Sequence, residues 1–562
     1  MSELVVDSGD TVWVLVSAAL VLFMMPGLAL FYAGLVRRGN VLAIMQQNLV
    51  PIAVITLTWV LVGYSIAFSD DIGNGFMGDL GLFGLTGLDT APTPALHVVD
   101  GDVAIPTLAF VAFQMMFAII TPALLTGATV GRLRTVGWVV TLALWSVLVY
   151  PFVAHWLFNP DGWLAQLGAQ DWAGGIVVHA AAGAAALAVL VVVGRRQGWP
   201  EAGSIPHSIP LAVAGAGILW FGWFGFNGGG SLQGNGVAAQ AVLNTHVAGA
   251  AAMGAWLLME RWRTGKGTVI GAVTGGVAGL ATITPCAGYV STLSALVIGV
   301  AAGVVCTFAL GLKKVFRFDD ALDVIAVHFV GGILGSLLLG FFGERAINDA
   351  GADGLFFGGG LDLLGAQALA LVVVVAFSFV VTLVIAFGVD RTVGLKVPPG
   401  QEFGMDEVEQ GANAYTLGQV SGLSATGTAS APVGSSTVAR GERAASAAAA
   451  AATAAGEVSG PAATDAVVLS ATFDSADLDA LTTALEDAGA WAIQVCEVNE
   501  VVADAPTLRF RESTERTRFA RRLRVDLCAG RGDVPAVVAL LTQHAVGLRS
   551  PLVLPLVAAA GS

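Results

Sequence analysis

Long apolar stretches alternate with short polar loops from about residue 11 to residue 388 of the 562-residue chain. A helix needs about 20 predominantly apolar residues to cross the hydrocarbon core of a bilayer, and each stretch reaches that length. The pattern therefore predicts an all-α polytopic membrane domain, residues 1–390, with eleven transmembrane helices, called here spans one to eleven. Their approximate bounds are 11–33, 41–68, 103–126, 136–158, 174–194, 208–227, 235–258, 268–287, 291–312, 321–341 and 361–388.

Basic residues are confined to alternate loops of this domain. Fourteen Lys and Arg follow odd-numbered spans, as at 37–38 and 195–196, whereas Arg345 alone follows an even-numbered span. Because cytoplasmic loops carry an excess of Lys and Arg, we expect a multi-pass protein of the cell membrane with its N-terminus outside and its C-terminus in the cytoplasm. The first ten residues are acidic and lack a basic n-region, so we expect no cleavable signal peptide.

The composition agrees with a membrane protein. Hydrophobic residues make up 56% of the chain and charged residues 12%, against about 25% charged residues in soluble domains. The net charge of −14 does not suggest a nucleic-acid partner. The four cysteines form no CxxC pair, so we expect neither a zinc site nor a disulfide framework. No residue set resembles an activated nucleophile or a metal cluster, so we expect neither an enzyme nor a cofactor for the membrane domain.

One motif occurs twice, in two spans that are predicted to run in opposite directions. In each copy a His lies within an apolar span, with an Asp eight residues before it and a Gly four residues after it. The copies are Asp171-x7-His179-x3-Gly183 in span five and Asp320-x7-His328-x3-Gly332 in span ten. Because each motif closes a group of five spans, we predict a five-plus-five inverted repeat. Such repeats place substrate sites near the midplane, at the repeat interface.

A His in mid-span is costly, by a few kcal/mol or more, so we expect His179 and His328 to meet and line a path through the membrane. A structural role, with each His satisfied by a neighbouring helix, stays open. Asp171, Asp320 and Asp323 lie near helix starts, where a carboxylate caps free N–H groups and favours the helix dipole. We expect Asp320 and Asp323 to be such caps, and Asp171 to be either a cap or a residue of the pore entrance.

Further segments carry the features of one known family. They are "PGLALFYAGLVRRGN" ending span one, "AFQMMFAIIT" in span three, "TLALWSVLVYPFVAHW" in span four, "LWFGWFGFNGGGS" in span six, "TPCAGYV" ending span eight and "RTVGLKVPPGQEFGMDEVEQGANAY" after span eleven. With the two His motifs, they resemble the ammonium transporter (Amt) family, a sister of the Rhesus proteins, over roughly residues 10–415. The resemblance implies the Amt fold, a homotrimer with one pore per subunit, and ammonium or ammonia as the solute.

The resemblance also implies a route through the pore. Phe117 and Phe226 match the family's paired Phe gate, and His179 and His328 match its pore-lining His pair. Hydrated potassium and sodium cannot shed their water against apolar rings, whereas ammonium can lose a proton and cross as neutral ammonia. Two imidazoles can share one proton, so we expect the proton to follow by a relay through the pair.

Two further residues are implied for recruitment of ammonium outside the gate. Trp145, which we expect at the outer end of span four, is implied as the aromatic residue, where cation–π attraction is worth about 0.5–2 kcal/mol. The family also uses a Ser in the pattern F-N-x-G-S, which recurs here with one extra Gly as "FNGGGS". Either Ser231 or Gly230 therefore takes the position of that Ser.

Residues 391–416 resemble the family's cytoplasmic regulatory tail, which couples pores and receives PII-type nitrogen regulators. An Ala/Gly/Ser/Thr-rich segment follows at 417–464, and its composition is that of a linker. Residues 465–562 predict the order β-α-β-β-α-β, a small α+β ferredoxin-like domain. We expect this domain and a separate PII protein to be regulatory partners of the membrane domain.

The last domain resembles PII signalling proteins in "DLDALTTALEDAGAWAIQVCEV" and "LVLPL". The family's Gly-rich nucleotide motif has no counterpart before "PLVLPL", so binding of ATP, ADP or 2-oxoglutarate stays open. Three functions remain to be separated. They are an ammonium transporter regulated by its own PII-like domain, an ammonium sensor that signals through that domain, and a neutral ammonia channel of the Rhesus type.

Overall fold

A computed structural model describes residues 5–88, 90, 98–100, 103–200, 206–398 and 400–415, and then 466–473, 475–476, 485, 487–488, 490–501, 519–530, 533–546 and 552–555. The chain forms two compact units, Met1–Tyr415 and Thr416–Ser562. The predicted linker, the first helix of the last domain and the loop between its middle strands lie largely or wholly outside the described residues.

The first unit is mostly helical. Its α-helices are α1 (Ser8–Leu35), α2 (Val41–Thr58), α3 (Tyr64–Phe68), α4 (Thr107–Leu125), α5 (Thr135–Leu148), α6 (Tyr150–Phe158), α7 (Trp163–Gln166), α8 (Ala181–Val193), α9 (Ile209–Gly228), α10 (Gly236–Thr264), α11 (Val269–Ile283), α12 (Thr292–Ala309), α13 (Leu312–Val315), α14 (Val330–Phe342), α15 (Asp362–Thr392) and α16 (Met405–Gln410). Three π-helical segments join this series: Trp59–Gly63, Gly175–Ala180 and Ile325–Phe329. Short 3-10 helices cover Arg38–Asn40, Phe83–Leu85, Gly229–Ser231 and Leu355–Phe357.

The predicted polytopic membrane fold is confirmed. In the described part of the chain, ten helical stretches are long and apolar enough to cross a membrane, and α11 is a shorter apolar helix at the position of span eight. Span eight is therefore shorter than predicted, because α11 ends at Ile283 and the chain turns through residues 284–290. These turn residues are almost all buried, as irregular backbone at membrane depth must be.

Spans one and six, the first spans of the two halves, pack closely along each other. A Cβ at Gly27 would stand 3.1 Å from the Cβ of Ile218, and a Cβ at Gly215 would stand 2.7 Å from the Cα of Phe31. Small residues let helix backbones approach in this way where lipid supplies no hydrophobic driving force. The same pairing of first spans is expected from an inverted repeat.

Short strands lie on one side of the membrane unit, called here the hairpin side. They are β1 (Val5–Val6), β2 (Asp71–Ile72), β3 (Met77–Gly78), β4 (Val98–Asp100) and β5 (Val103–Ala104). β2 and β3 pair antiparallel as a hairpin, and Asn74 and Gly75 in its turn both have positive φ. The hairpin lies on the end of α6, where the indole N–H of Trp156 donates to the carbonyl of Phe76 at 2.7 Å.

The other side of the unit, called here the tail side, holds the segment 391–415. The backbone N–H of Ala43 donates to the carboxylate of Asp406 at 2.9 Å, and His207 Nε2 lies 2.9 Å from the hydroxyl of Tyr415. The amide of Asn40 donates to the carbonyl of Glu402 at 2.8 Å. The segment is therefore fixed to the first loop and to the start of α9.

A buried ion pair also lies on the tail side. Asp319 Oδ1 lies 2.6 Å from Arg196 Nη2, and its Oδ2 lies 3.4 Å from Arg132 Nη1. Burial works to raise the pKa of the Asp319 carboxyl, but the hydrogen bonds and positive charges of Arg196 and Arg132 bring that pKa below its ordinary value. The cluster joins the loop after span three to the loops after spans five and nine.

The second unit contains a four-stranded sheet. Its strands are β6 (Ala466–Phe473), β8 (Trp491–Val501), β9 (Phe519–Gly530) and β11 (Leu552–Pro555), with β7 (Ser475–Ala476), β10 (Ala545–Val546) and the helix α17 (Val534–His544) beside them in sequence. The sheet order is β11-β6-β9-β8, and all neighbours are antiparallel. The ferredoxin-like assignment stays a prediction, because most of the expected first helix lies outside the described residues.

Candidate functional site: a dry pore with paired histidines

Both histidines of the repeated motif lie in π-helical segments. His179 lies in Gly175–Ala180 and His328 in Ile325–Phe329, and each segment runs directly into an α-helix, α8 or α14. The wider π turn is rare and frequently marks a functional site. In these two places it occurs at matching points of the two halves.

Asp171 and Asp320 cap these two segments. The carboxylate of Asp171 accepts four backbone N–H groups, from residues 174–177, at 2.6–3.0 Å. Burial raises the pKa of Asp171 to about 6, and the four hydrogen bonds oppose a further rise. Asp320 accepts the N–H groups of Val324 and Ile325 at 3.1 and 2.7 Å. Both carboxylates therefore fix the segment that carries the His.

Asp323 makes an ion pair that the sequence does not predict. Its residue has a positive φ of 65°, and its carboxylate lies 2.5 Å from the Nζ of Lys313. The pair ties the start of the second π segment to α13. Spacing along the chain does not reveal this ion pair, because it depends on how the loop after span nine folds back.

The two histidines meet inside the membrane unit. Their Nδ1 atoms are 3.3 Å apart and their ring centroids 5.2 Å apart. One Nδ1 must carry the hydrogen and the other must accept it, so the contact fixes opposite tautomers. The Nε2 of His179 is buried and has no hydrogen-bond partner among the residues that the structure describes. This nitrogen is therefore free to bind a small polar solute.

The glycines of the repeated motif allow this contact. A Cβ at Gly332 would stand 2.6 Å from the carbonyl oxygen of Gly175 and 2.9 Å from the Cβ of His179. In the other half, a Cβ at Gly183 would stand 2.7 Å from the Cα of Phe329. Each motif thus uses its Gly to seat the π segment of the other half.

Aromatic rings continue the path from the His pair toward the hairpin side. The rings of Phe117 and Phe226 are 4.4 Å apart, and the ring of Phe226 lies 6.0 Å from His179 with an interplanar angle of 17°. Trp223 lies 5.6 Å from His179 on another side and donates its indole N–H to Thr284. The cavity beside the pair is otherwise apolar, being lined by Met24, Leu28, Phe31, Ile120, Leu124, Val178, Leu219 and Val277.

The structure places Trp145 away from these rings. Trp145 is 1% exposed and lies within α5, and its indole N–H donates to the hydroxyl of Thr382 at 3.0 Å. Span four continues past a break at Val149 into α6 and ends only at Phe158. The expectation that Trp145 lies at the outer end of span four is therefore wrong, because twelve residues, 146–157, lie between it and Phe158 at that end.

Phe158 is the aromatic residue that the sequence interpretation missed. It is half-buried at the last position of α6, and its ring lies 6.5 Å from that of Phe117 at an interplanar angle of 81°. Its place as the final residue of span four is the sequence signal that identifies it.

Ser231 ends the short 3-10 helix that follows α9. Its Oγ lies 2.9 Å from the carbonyl oxygen of Gly228 and 2.6 Å from that of Gln233. Its single hydrogen is donated within this turn. Gly230 instead faces Trp172, where an added Cβ would stand 3.0 Å from the indole nitrogen.

A path this narrow and apolar suits a small solute, and the two imidazoles give that solute a partner for proton exchange. The fold and the site together define a membrane transport protein for a small solute that can gain or lose a proton. The chain belongs to the ammonium transporter family: the model of the Ammonium Transporter Family matches residues 12–415.

Several relatives and solved structures are similar to this chain. An ammonium transporter of Mycobacterium tuberculosis H37Rv is 45% identical over 438 residues, covering 74% of this chain and 92% of that protein. Ammonium transporter Amt1 of Archaeoglobus fulgidus is 42% identical over 411 residues, covering 73% of this chain and all of that protein. The crystal structure of Saccharomyces cerevisiae Mep2 superposes with a TM-score of 0.64 at 34% identity, covering 70% of this chain and 88% of Mep2. A structure titled "Sensor Amt Protein" superposes with a TM-score of 0.64 at 30% identity, covering 72% of this chain and 98% of that protein.

Proposed function

We propose that the protein transports ammonium across the cell membrane by moving ammonia and a proton along one pore in each subunit. The observation that carries the proposal is the His179–His328 contact, with Nδ1 atoms 3.3 Å apart and a free Nε2 on His179. A neutral, hydrogen-bonding solute matches that nitrogen. Relatives named as ammonium transporters support the choice of solute.

The aromatic rings supply selectivity in this proposal. Phe117 and Phe226 are 2% and 1% exposed, so a solute must pass between rings with no water around it. Stripping water from a metal cation without new ligands costs far more than the rings can return. Ammonium avoids that cost by leaving its proton behind and crossing as ammonia.

The His pair gives the proton a separate route. The two Nδ1 atoms share one hydrogen, so a proton arriving on one ring can shift the shared hydrogen toward the other. The second ring then releases the proton from its own Nε2 on the far side, which leaves both rings neutral with their tautomers reversed. One positive charge has thus crossed the pair, which makes transport electrogenic, and return of both rings to their first tautomers completes the cycle.

In this proposal Phe158 replaces Trp145 as the outer aromatic residue. Its half-buried ring beside Phe117 can meet a cation before the gate, whereas Trp145 is enclosed. The hairpin side is then outside and the tail side is cytoplasmic, as the fourteen basic residues after odd-numbered spans support. A homotrimer, by analogy with the family, completes the assembly.

The second unit is proposed to regulate the pore. The whole length of Archaeoglobus fulgidus Amt1 is matched by 73% of this chain. An added α+β unit after the tail is therefore an addition to a complete transporter. Binding of ATP, ADP or 2-oxoglutarate to it, and docking of a separate PII protein, are open parts of this proposal.

Ammonium-evoked current in proteoliposomes on a solid-supported membrane tests the function. The full chain, a chain ending after Tyr415 and the His179→Ala variant of each are compared. We expect saturable current from both lengths and its loss in both variants. A difference in current between the two lengths would show that the second unit regulates the pore.

A sensor is the second candidate, and the likeness to the protein titled "Sensor Amt Protein" favours it. An ammonium sensor would bind ammonium and carry no current at either length. Passive ammonia flux without current would instead indicate a neutral channel of the Rhesus type.

A further inference from the structure

The indole of Trp223 stacks on His179, and a hydrogen bond fixes the plane of that indole. Trp223 lies on α9, three residues before Phe226, and is 2% exposed. Its ring lies 5.6 Å from that of His179 at an interplanar angle of 26°. Its indole N–H donates to Oγ1 of Thr284 at 2.9 Å. The stack therefore joins an imidazole of the first half of the chain to a fixed ring of the second half.

The hydrogens of the Trp223–Thr284 contact can be assigned from its partners. The carbonyl oxygen of Leu280 only accepts, so the hydroxyl of Thr284, 2.8 Å from it, donates its single hydrogen there. An indole nitrogen only donates, so a lone pair of the same hydroxyl faces Trp223. Thr284 is 0% exposed, and a buried indole N–H without a partner is costly. The two hydrogen bonds of Thr284 therefore hold the indole in one orientation.

The imidazole of His179 can turn unless a neighbour restrains it. The torsion about the Cβ–Cγ bond of a His is soft, with broad two-fold minima. The contact of the His179 Nδ1 with that of His328, 3.3 Å away, needs a particular value of this torsion. Rotation about the bond would also tilt the His179 ring out of its stack with Trp223. Trp223 thus resists the motion that would separate the two Nδ1 atoms.

The turn that follows α11 supports both rings. α11 ends at Ile283 and Thr284 is its C-cap, so the end of this short helix brings the hydroxyl to the indole. Pro285, the next residue, packs on the first residue of the π segment that carries His179: a Cβ at Gly175 would stand 2.5 Å from the Cβ of Pro285. One turn therefore contacts the indole and the segment that bears the imidazole.

We propose that Trp223 is a positioning residue for the proton route: held by Thr284, it keeps His179 at the torsion at which its Nδ1 meets that of His328. The inference rests on the proposed transport function and adds two residues to its proton relay. Ammonia needs only an open path, whereas the proton needs the Nδ1 contact. Loss of the Trp223–Thr284 hydrogen bond should therefore lower the charge moved per ammonia delivered.

Near-isosteric substitutions test this hydrogen bond. Thr284→Val keeps the shape of the side chain and removes the acceptor, whereas Thr284→Ser keeps the hydroxyl. Trp223→Phe keeps an aromatic face and removes the N–H. Thr382→Val is the matched control, because it removes the same kind of bond, 3.0 Å long, from the buried indole of Trp145 away from the pore.

The test compares ammonium-evoked current with ammonia flux, read as a change of internal pH, for the full chain in proteoliposomes. We expect Thr284→Val to lower the ratio of current to flux at least about threefold, the order expected for loss of one neutral hydrogen bond. Thr284→Ser and Thr382→Val should keep the ratio of the unmodified protein. Thr284→Val should add no further loss to Trp223→Phe, because both remove the same bond. An unchanged ratio in Thr284→Val, an equal fall in Thr382→Val, or full additivity would overturn the proposal.

A second readout does not depend on transport. Solid-state NMR of the full chain in liposomes, with isotope-labelled nitrogens in its seven histidines, detects the coupling between two nitrogens that share a hydrogen. We expect an Nδ1–Nδ1 coupling in the unmodified protein and in Thr382→Val, and its loss in Thr284→Val. This pattern in a protein that carries no current would refute transport and leave the positioning role intact. Absence of the coupling from the unmodified protein, or the same coupling in Thr284→Val, would refute the positioning role.

Discussion

Gly332 and His179 come from opposite halves of the chain, yet a Cβ on Gly332 would stand 2.9 Å from the Cβ of His179. Real Cβ atoms rarely come that close, so the missing side chain of Gly332 is what admits the His179 segment. The position of one imidazole in the pore is thus set by a glycine in the other half.

Gly332→Ala is expected to abolish most of the current. The added methyl would overpack the contact, at a cost of about 1–3 kcal/mol, and would push His179 away from His328. We expect at least about a tenfold loss of ammonium current at equal protein density. Gly365→Ala is the matched control, since Gly365 lies on α15 with open space where its Cβ would be. Equal currents in the two variants would contradict this packing role.

His179→Ala and His328→Ala are expected to uncouple charge from flux. Each removes one half of the shared Nδ1 contact, so the proton loses its relay while the apolar path stays open. We expect the current to fall at least about tenfold, while ammonia flux, read as a change of internal pH, continues. His246→Ala is the control, because that imidazole is exposed on α10 beside Trp220. Full current in either pore variant would show that the pair carries no proton.

Substitution of Phe158 is expected to change the half-saturating concentration of ammonium, whereas substitution of Trp145 is expected to change the Tm. Loss of a cation–π contact worth about 0.5–2 kcal/mol predicts a higher half-saturating concentration for Phe158→Ala, and Phe158→Trp should lower it. Trp145→Phe removes a buried hydrogen bond to Thr382, so it should lower the Tm and leave half-saturation unchanged. The reverse assignment of these two effects would restore Trp145 as the recruitment residue.

Ser231→Ala is expected to leave half-saturation almost unchanged. The hydroxyl of Ser231 donates within its own turn, to Gly228 or Gln233, and its oxygen accepts the N–H of Gln233 at 3.2 Å. Its hydrogen and one of its lone pairs are therefore already used within the turn. We expect a change of less than about twofold, below the effect of one neutral hydrogen bond. A rise as large as that of Phe158→Ala, measured side by side, would place Ser231 in the recruitment site.

Acid is expected to weaken the tail side through Asp319. Its folded pKa is depressed by Arg196 and Arg132, whereas the unfolded chain regains the ordinary value of about 3.9. The stabilisation is therefore fully present above the ordinary pKa and is lost as pH falls through the folded pKa. We expect the Tm of Asp319→Asn to be lower at neutral pH and to fall less steeply in acid than that of the unmodified protein. Asp349→Asn, at an exposed loop position, should follow the unmodified protein; parallel curves for all three would exclude this origin of acid sensitivity.

The spans and the contact between the two histidines were predictable because each follows from the properties of the bilayer. Apolar length is imposed by the bilayer, and a His in mid-span at matched points of two halves needs a partner in the membrane. Asp171 and Asp320 were predictable as residues near helix starts. The π-helical segments whose N–H groups they accept were not predictable, because π-helical turns use the same residues as α-helical turns and leave no periodic signal.

The outer aromatic residue could not be predicted from the sequence, because its position depends on a break within span four. The pattern of span four predicts one helix, and a break at Val149 joins two helices before the end at Phe158. The family resemblance and an expected place at the outer end of span four indicated Trp145 for recruitment, but Phe158 ends α6. The contact between His155 Nε2 and Asp71 Oδ1, 3.0 Å apart, was also not predictable, since the two residues are 84 positions apart and neither stands in a repeated motif.

The contacts of His179 with Gly332 and His328 can form only after span ten has been synthesised. His179 and His328 are 149 residues apart, and ribosomes add about 5–20 residues per second, so roughly 7–30 s pass between the emergence of the two rings. Throughout that interval span five carries an imidazole whose partner has not yet been made. Either the insertion machinery retains span five until span ten arrives, or the half-made protein holds a polar group in lipid for many seconds.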